Sequence, residues 1–279
     1  MRRIYRFIIC AISAFLVLSA FVCTRSLALS EQLFITVKIN GQPIFVDTNP
    51  YLKQQRTYVP IRFIADAFGM ETEWIQDEKK TVLKNETTTI EMWVGSNRLL
   101  VNNEEMLMDV CVEGVNGRTM VPIRHFAEIL GFTVRWDDIT CSVELTKEGV
   151  EIPVSCLLNR SYTDEDLLWL ARIVDVEAHS LSFDAKVAVA NVILNRTKSE
   201  EFPGTIYEVI FDKKYAKQFP PAHRSGFTSR VPDKTSVIAA KMALEGINNI
   251  DKCLYFNDEP FKGKKKDLYK VIDGEYFYY

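Results

Sequence analysis

One carboxylate in this chain sits where acid–base chemistry would want it. Glu177 falls inside the run Thr163 to Arg196 (TDEDLLWLARIVDVEAHSLSFDAKVAVANVILNR), which reads as two helices joined by a short break. Thr163 with Asp166 three residues on makes a capping-box-like start, and Asp164, Glu165 and Asp166 place negative charge at the positive end of the helix. Leu167, Leu170, Ala171, Val174 and Ala178 recur with helical period. Glu177 lies on the edge of that apolar stripe, so it should turn toward the packed side. Desolvation there disfavours the ionised form and raises the pKa. A carboxylic acid kept protonated near neutral pH can donate its proton to a glycosidic oxygen. The same spacing also fits a helix-end Glu paired with Arg172 or Arg196.

The second helix, roughly Phe183 to Lys198, is amphipathic through Val187, Ala190, Ile193 and Leu194. Asn191 and Asn195 lie four apart on one face, beside Arg196. Their amides suit either the Glu177 carboxyl and an N-acetyl group, or the loop that follows. Residues 201 to 234 are rich in Pro and Gly and carry Tyr207, Tyr215, Gln218, Phe219 and His223. A long irregular segment in a compact domain is often functional. Thr235 or Ser236 should cap a third helix that ends at Gly246. Leu254 to Asn257 reads as a strand in which Tyr255 and Asn257 face one side together.

These residues carry a resemblance. LARIVDVEAHS, KVAVANVILNR, FPGTIYEVIF, Gln218-Phe219, AAKMALEGIN, Leu254-Tyr255-Phe256-Asn257 and Phe277-Tyr278 follow the order seen in SleB/CwlJ-type cell wall hydrolases, the spore-cortex-lytic family. The likeness runs from about Tyr162 to the C-terminus. It implies a mainly helical, lysozyme-like domain with a small sheet, acting on the glycan strands of peptidoglycan. It also implies one essential Glu, which falls on Glu177, and places Gln218, Phe219, Tyr255 and Asn257 at the subsites with Asn191 and Asn195 near the acid. The family's EA-x-G-E-x-x-x-G run departs here: Ser180, Leu181 and Ala185 replace the Gly, the second Glu and the later Gly, and Glu275 stands where a His is expected. Ordinary glycosidases pair two carboxylates. Of the natural partners for Glu177 (Asp175, Asp184, Asp212 and Asp233), none is well placed by spacing. The resemblance therefore points to a lytic transglycosylase that works with one Glu and forms 1,6-anhydromuramyl ends. A wall-binding protein whose catalytic domain has decayed is the alternative.

The elements upstream have their own signature. Arg56-Thr-Tyr-Val-Pro-Ile-Arg62 returns as Arg118-Thr-Met-Val-Pro-Ile-Arg124, an offset of 118 − 56 = 62 that also relates Asn40 to Asn102, Asp47 to Asp109, Gly69 to Gly131 and Trp74 to Trp136. Each copy reads as strands, a short helix after Val-Pro, a glycine at the left-handed C′ position and a closing strand with the Trp. The pair resembles the copper amine oxidase N-terminal-like domain. No copper is implied, because His125 has no second imidazole in the module. Trp74 and Trp136 are expected in the core, with stacking on sugar faces as the other use of such rings. Arg62 and Arg124 are expected to serve the repeat itself. The chain thus divides into a signal peptide at 1–29, the two-repeat module at 33–147, a linker at 148–161 and the hydrolase domain at 162–279, in all an α+β protein.

The start of the chain has the basic residues Arg2, Arg3 and Arg6, an uncharged run from Phe7 to Cys23, and small residues around Ala28. It reads as a cleaved signal peptide, or as an anchor if uncleaved. Either way the rest is expected to work outside the cytoplasm, and the resemblance implies the wall or spore envelope of a bacterium. Apolar content of 47% and charged content of 25% are globular values. A net charge of −3 argues against nucleic-acid binding. Expected partners are peptidoglycan strands and a possible wall-associated protein. No metal or other cofactor is called for, and no spacing among Cys111, Cys141, Cys156 and Cys253 suggests a metal site, so these are expected to be small buried hydrophobes. The Lys262–Lys266 run suits wall polyanions or a solvated turn.

Overall fold

The computed structural model describes residues 33–214, 217–263 and 265–279. The expected signal peptide at 1–29 lies outside them, as does Tyr215. Among the described residues, no helix is long and apolar enough to cross a membrane.

The module contains β1 (Thr36–Ile39), β2 (Gln42–Pro43), β3 (Tyr51–Lys53), β4 (Arg56–Pro60), α1 (Ile61–Ala67), β5 (Glu71–Ile75), β6 (Lys80–Lys84), β7 (Thr89–Trp93), β8 (Arg98–Val101), β9 (Glu104–Leu107), β10 (Glu113–Val115), β11 (Arg118–Pro122), α2 (Ile123–Ile129), β12 (Thr133–Asp137) and β13 (Ser142–Thr146). The repeat generates an approximate two-fold axis. Strands β4 and β11, one from each copy, pair antiparallel with Val59 opposite Val121 and Tyr58 opposite Pro122. Strands β3 and β10 extend that sheet on either side. The axis also explains the charges: Arg56 pairs with Asp109, and its equivalent Arg118 pairs with Asp47. Each copy's Arg thus holds the other copy's Asp.

Helices α1 and α2 follow a proline that occupies the N-cap position. Both end at a glycine with positive φ, 68° at Gly69 and 79° at Gly131, as the C′ position requires. The copies diverge in their outer sheets. Strands β5 to β9 form one consecutive antiparallel sheet. In the other, β13 pairs directly and in parallel with β1, Thr36 opposite Ser142. The core between the layers is built from Val37, Ile39, Ile64, Ile90, Val121, Phe126 and Leu145, all buried. Two expectations are corrected here. Trp74 is 40% exposed rather than in the core, with its indole N–H donated to Gln76. Cys111 is exposed, and all four described cysteines are free thiols.

The C-terminal part has α3 (Asp164–Glu177), α4 (Phe183–Arg196), α5 (Ile206–Phe211), α6 (Lys234–Leu244), β14 (Tyr255–Asn257), β15 (Leu268–Ile272) and β16 (Glu275–Tyr278). The architecture is α+β, with sheets toward the N-terminus and helices toward the C-terminus. Apolar faces of α3, α4 and α6 meet around Leu170, Val174, Val189, Ile193 and Ala240. The stretch read as loop from 201 to 234 holds α5, capped by Thr205. The third helix is capped by Asp233 rather than by Thr235 or Ser236, the carboxylate accepting the Ser236 N–H at 2.6 Å.

Residues Glu31–Tyr279 form one compact unit. The segment between the two parts is packed: Ile44 bridges to Leu157, and Phe45 N–H donates to Cys156 O. Trp136 touches both cores, and Cys141 is buried in the helical one. Lys241 of α6 is fully buried at this junction. Its ammonium donates to Thr36 Oγ1 at 2.9 Å, Thr140 O at 2.7 Å and Cys141 O at 3.0 Å. Burial lowers its pKa to about 8.

Candidate active site

Helix α3 is a well-defined lever for the residue at its end. Thr163 accepts the Asp166 N–H, and Asp166 accepts the Thr163 N–H at 2.9 Å, completing a capping box. Fourteen residues later the helix stops at Glu177, with Ala178 as C-cap and buried. Ser182 caps the next helix. No residue between Ala178 and Ser182 has positive φ. Ser180 therefore satisfies the turn where the related pattern has glycine. Ser182 N–H donates to Asp273 in the β15–β16 turn at 2.5 Å, which ties that hairpin to the break after Glu177.

Glu177 is half-buried, and its Oε1 is enclosed without a hydrogen-bond partner. Burial first, then the charge of Glu275, push its pKa up to about 7, against a smaller opposing pull from Arg224. It has no ion-pair partner among the described residues: Arg172 Nε donates to Arg230 O, and Arg196 Nε to Leu254 O. Glu275, on β16, stands where the family pattern expects a His, and no local spacing links it to Glu177. Burial raises its pKa too, with Asp258 and Asp273 adding to the effect.

A groove of about 500 Å³ opens beside the end of α3, walled by Val176 and His179 on one side and by Arg224, Phe227 and Arg230 on the other. Its floor is rigid. Asp175, buried, accepts from Arg230, from His179 at 3.1 Å and from the Asp233 N–H at 3.3 Å. Asp233 in turn accepts from the buried Lys186 at 3.0 Å. Burial alone would raise the Asp233 carboxyl, but the Ser236 N–H and Lys186 hold it below the usual carboxylate range. Asp175, His179 and Asp233 bring ligand-type atoms within 4.8 Å of one another. Arg230 and Lys186 already neutralise both carboxylates, so the cluster is built as an ion-pair network rather than as a cation cage. It fastens the end of α3 to the loop before α6.

The other candidate residues fare differently. Asn191 is corrected: it is buried, and both its amide hydrogens are used, on Val187 O at 2.9 Å and Ile247 O at 3.0 Å. Asn195 is corrected likewise, its amide donating to Asp251 O and Cys253 O. The shared face read from their spacing is real, but it holds the loop after α6. Phe219, 1% exposed, is also corrected, being a core residue beneath the Arg196 guanidinium rather than a sugar platform. Gln218, Tyr255 and Asn257 are half-buried. Tyr255 lies against Arg196 and Phe202, and Asn257 on β14 stands opposite Tyr276, the residue after Glu275. His223 sits edge-on to Phe211, and burial lowers its pKa, helped by Lys213 and Lys217.

A small helical domain thus holds an enclosed carboxylic acid with a raised pKa at a helix terminus, next in sequence to a residue that walls a braced groove, and such a group suits acid–base chemistry. Comparison with known proteins makes the class specific. Residues 181–278 match the Cell Wall Hydrolase family, and residues 38–145 match the copper amine oxidase N-terminal domain. The chain thus carries a cell wall hydrolase domain, and it is an enzyme acting on peptidoglycan. The hydrolase match begins at Leu181, four residues beyond Glu177. Among solved structures, the chain is similar to the catalytic domain of the germination-specific lytic transglycosylase SleB from Bacillus anthracis, at 27% identity over 44% of this chain and 100% of that one, with a TM-score of 0.38. It is also similar to the SleB catalytic domain from Bacillus cereus, at 28% identity over 44% of this chain and 95% of that one, again at 0.38. Among curated proteins, none matches.

Proposed function

We propose that the protein cleaves the bond between N-acetylmuramic acid and N-acetylglucosamine in peptidoglycan strands, as a lytic transglycosylase with Glu177 as its acid and base. The observation that carries this reading is the Glu177 carboxyl, enclosed without a hydrogen-bond partner at Oε1 and with its pKa raised to about 7. The protonated acid gives its proton to the glycosidic oxygen, and the C1–O bond breaks. The carboxylate then takes the proton of the muramyl C6 hydroxyl as that oxygen closes on C1, leaving a 1,6-anhydro end with no water consumed. Gln218, Tyr255 and Asn257 are the remaining candidates for holding the strand. A wall substrate puts the site of action outside the cytoplasm, in cortex or vegetative wall remodelling.

Glu275 supports a second reading. A carboxylate close enough to raise the Glu177 pKa is also a possible base for water, and the outcome would then be hydrolysis with reducing muramic ends. Mass analysis of digested, purified peptidoglycan separates the two by the 18 Da of one water. Anhydromuramyl ends are expected, and reducing ends would replace the transglycosylase reading with the hydrolytic one. Glu177→Gln should lower the rate at least 10³-fold, taking the upper part of the range for general acid–base catalysis. Cleavage at the parental rate would remove Glu177 from its role.

A further inference from the structure

The two-fold relation between the repeats exposes an asymmetry. In the second copy, the surface around Trp136 is covered: Trp136 packs against the helical core, Cys141 is buried, and the Thr140 and Cys141 carbonyls accept from Lys241. In the first copy the equivalent surface is open. Trp74 is exposed, and Lys79 stands exposed at the position of Cys141, since 141 − 62 = 79. Both residues adopt the same left-handed turn, with φ of 49° and 46°. Where helices cover one copy, a groove of about 510 Å³ runs along the other, between Trp74 and the start of α1.

The chemistry of this groove selects its occupant. Three cations line it, Arg62, Lys79 and Arg118, and no carboxylate does. Arg118 is held by Asp47, whereas Arg62 and Lys79 have no side-chain hydrogen bond or ion pair among the described residues. Thr72 Oγ1, also in the lining, has no hydrogen-bond partner. A flat indole and two free cations suit a sugar face carrying negative charge, and they suit an apolar helix or strand poorly.

We propose that the first repeat is a second binding site for peptidoglycan, separate from the site of Glu177. A strand lays a sugar ring on Trp74 and sets its stem-peptide carboxylates against Arg62 and Lys79. The site rests on the peptidoglycan reading above and makes the module a substrate anchor, so that cleavage is confined to wall already held.

The test is co-sedimentation of the full chain, carrying Glu177→Gln so that the ligand survives, with insoluble peptidoglycan stripped of teichoic acids. Retention is expected, and it should weaken as salt rises. Adding Trp74→Ala should weaken it about tenfold, in line with loss of one stacked ring. Arg62→Glu with Lys79→Glu should do the same without touching the core, because both side chains are exposed. Trp93→Ala, outside the groove, should leave retention unchanged. Unaltered binding by the double Glu variant, or retention that appears only when teichoic acids are left on the wall, would overturn the proposal. Cleavage of short soluble glycan fragments by the parent, measured separately, reports on the catalytic reading alone.

Discussion

At the residue scale, the behaviour of Glu177 follows from its enclosure. Its folded pKa of about 7 lies above the ordinary 4.5, so the folded protein holds a proton that the unfolded chain releases between those values. The stability this contributes is present below pH 4.5 and is lost as pH rises through 7. Glu177→Gln cannot ionise. Relative to the parent it should gain about 3 kcal/mol in unfolding free energy between pH 4 and pH 8, read by urea denaturation at the two pH values. A gap independent of pH would contradict the enclosed-acid description. Activity should fall on the alkaline side with the same apparent pKa, because the deprotonated carboxylate has no proton to give. Glu275→Gln tests the neighbouring charge. The alkaline limb should shift to lower pH while the product remains anhydromuramyl; complete loss of turnover would instead make Glu275 the base for water. The enclosure of Glu177 was legible from stripe and cap. Glu275 was not, because nearly a hundred residues of chain separate it from Glu177, and no local spacing records that a β-turn carboxylate, Asp273, pins its hairpin to the break after α3.

At the element scale, periodicity served well and orientation did not. The capping box at Thr163 was readable, and it is present. Thr163→Ala should cost about 1 kcal/mol of stability, seen as a lower urea midpoint with unchanged slope, and a change below a few tenths would show that the cap is dispensable. Asn191 and Asn195 do share a helix face, as a four-residue spacing demands. Which neighbour that face meets depends on the rotation of α4 in the bundle, and it meets carbonyls at Ile247, Asp251 and Cys253. Asp233, Thr235 and Ser236 are equally good cap types, so local sequence does not choose among them, and the fold places the cap at Asp233. In the module, the offset of 62 identified Asp47 with Asp109 and Arg56 with Arg118. Only the antiparallel meeting of β4 and β11 crosses the pairs, so that each Arg binds the Asp of the other copy.

At the scale of the whole molecule, the two parts meet through a buried ammonium. Lys241 lies in an apolar-looking stretch, AAKMALEG, and nothing in its local pattern marks it as buried. Its three acceptors come from the module: the Thr36 hydroxyl, the Thr140 carbonyl, and the Cys141 carbonyl, which also accepts the Thr36 N–H at 3.1 Å. Lys241→Ala leaves the buried Thr140 carbonyl without its donor and should destabilise the protein by about 1–3 kcal/mol, measured by urea unfolding. The pH dependence has a definite sign. With a folded pKa of about 8 against an ordinary 10.5, the folded state sheds this proton first, so the parent should gain on the variant as pH rises from 8 to 10.5. Equal stability of the two proteins would mean that the junction does not depend on the ammonium.

The amino-acid sequence by itself determined the features set by short-range chemistry: the caps, the helical periods, the glycine C′ positions, the repeat with its register, and a carboxylate on the edge of an apolar stripe. Each depends on residues within a turn or two of one another, or on a pattern that repeats. Tertiary structure alone decided what those features face. It put Glu275 near Glu177, spent the amides of Asn191 and Asn195 on a loop, sank Phe219 under Arg196, and covered Trp136 while leaving its twin Trp74 open. The reason is physical. A side chain's burial and pKa follow from which surfaces converge on it, and here those surfaces come from segments up to about two hundred residues apart, as Lys241 and Thr36 are.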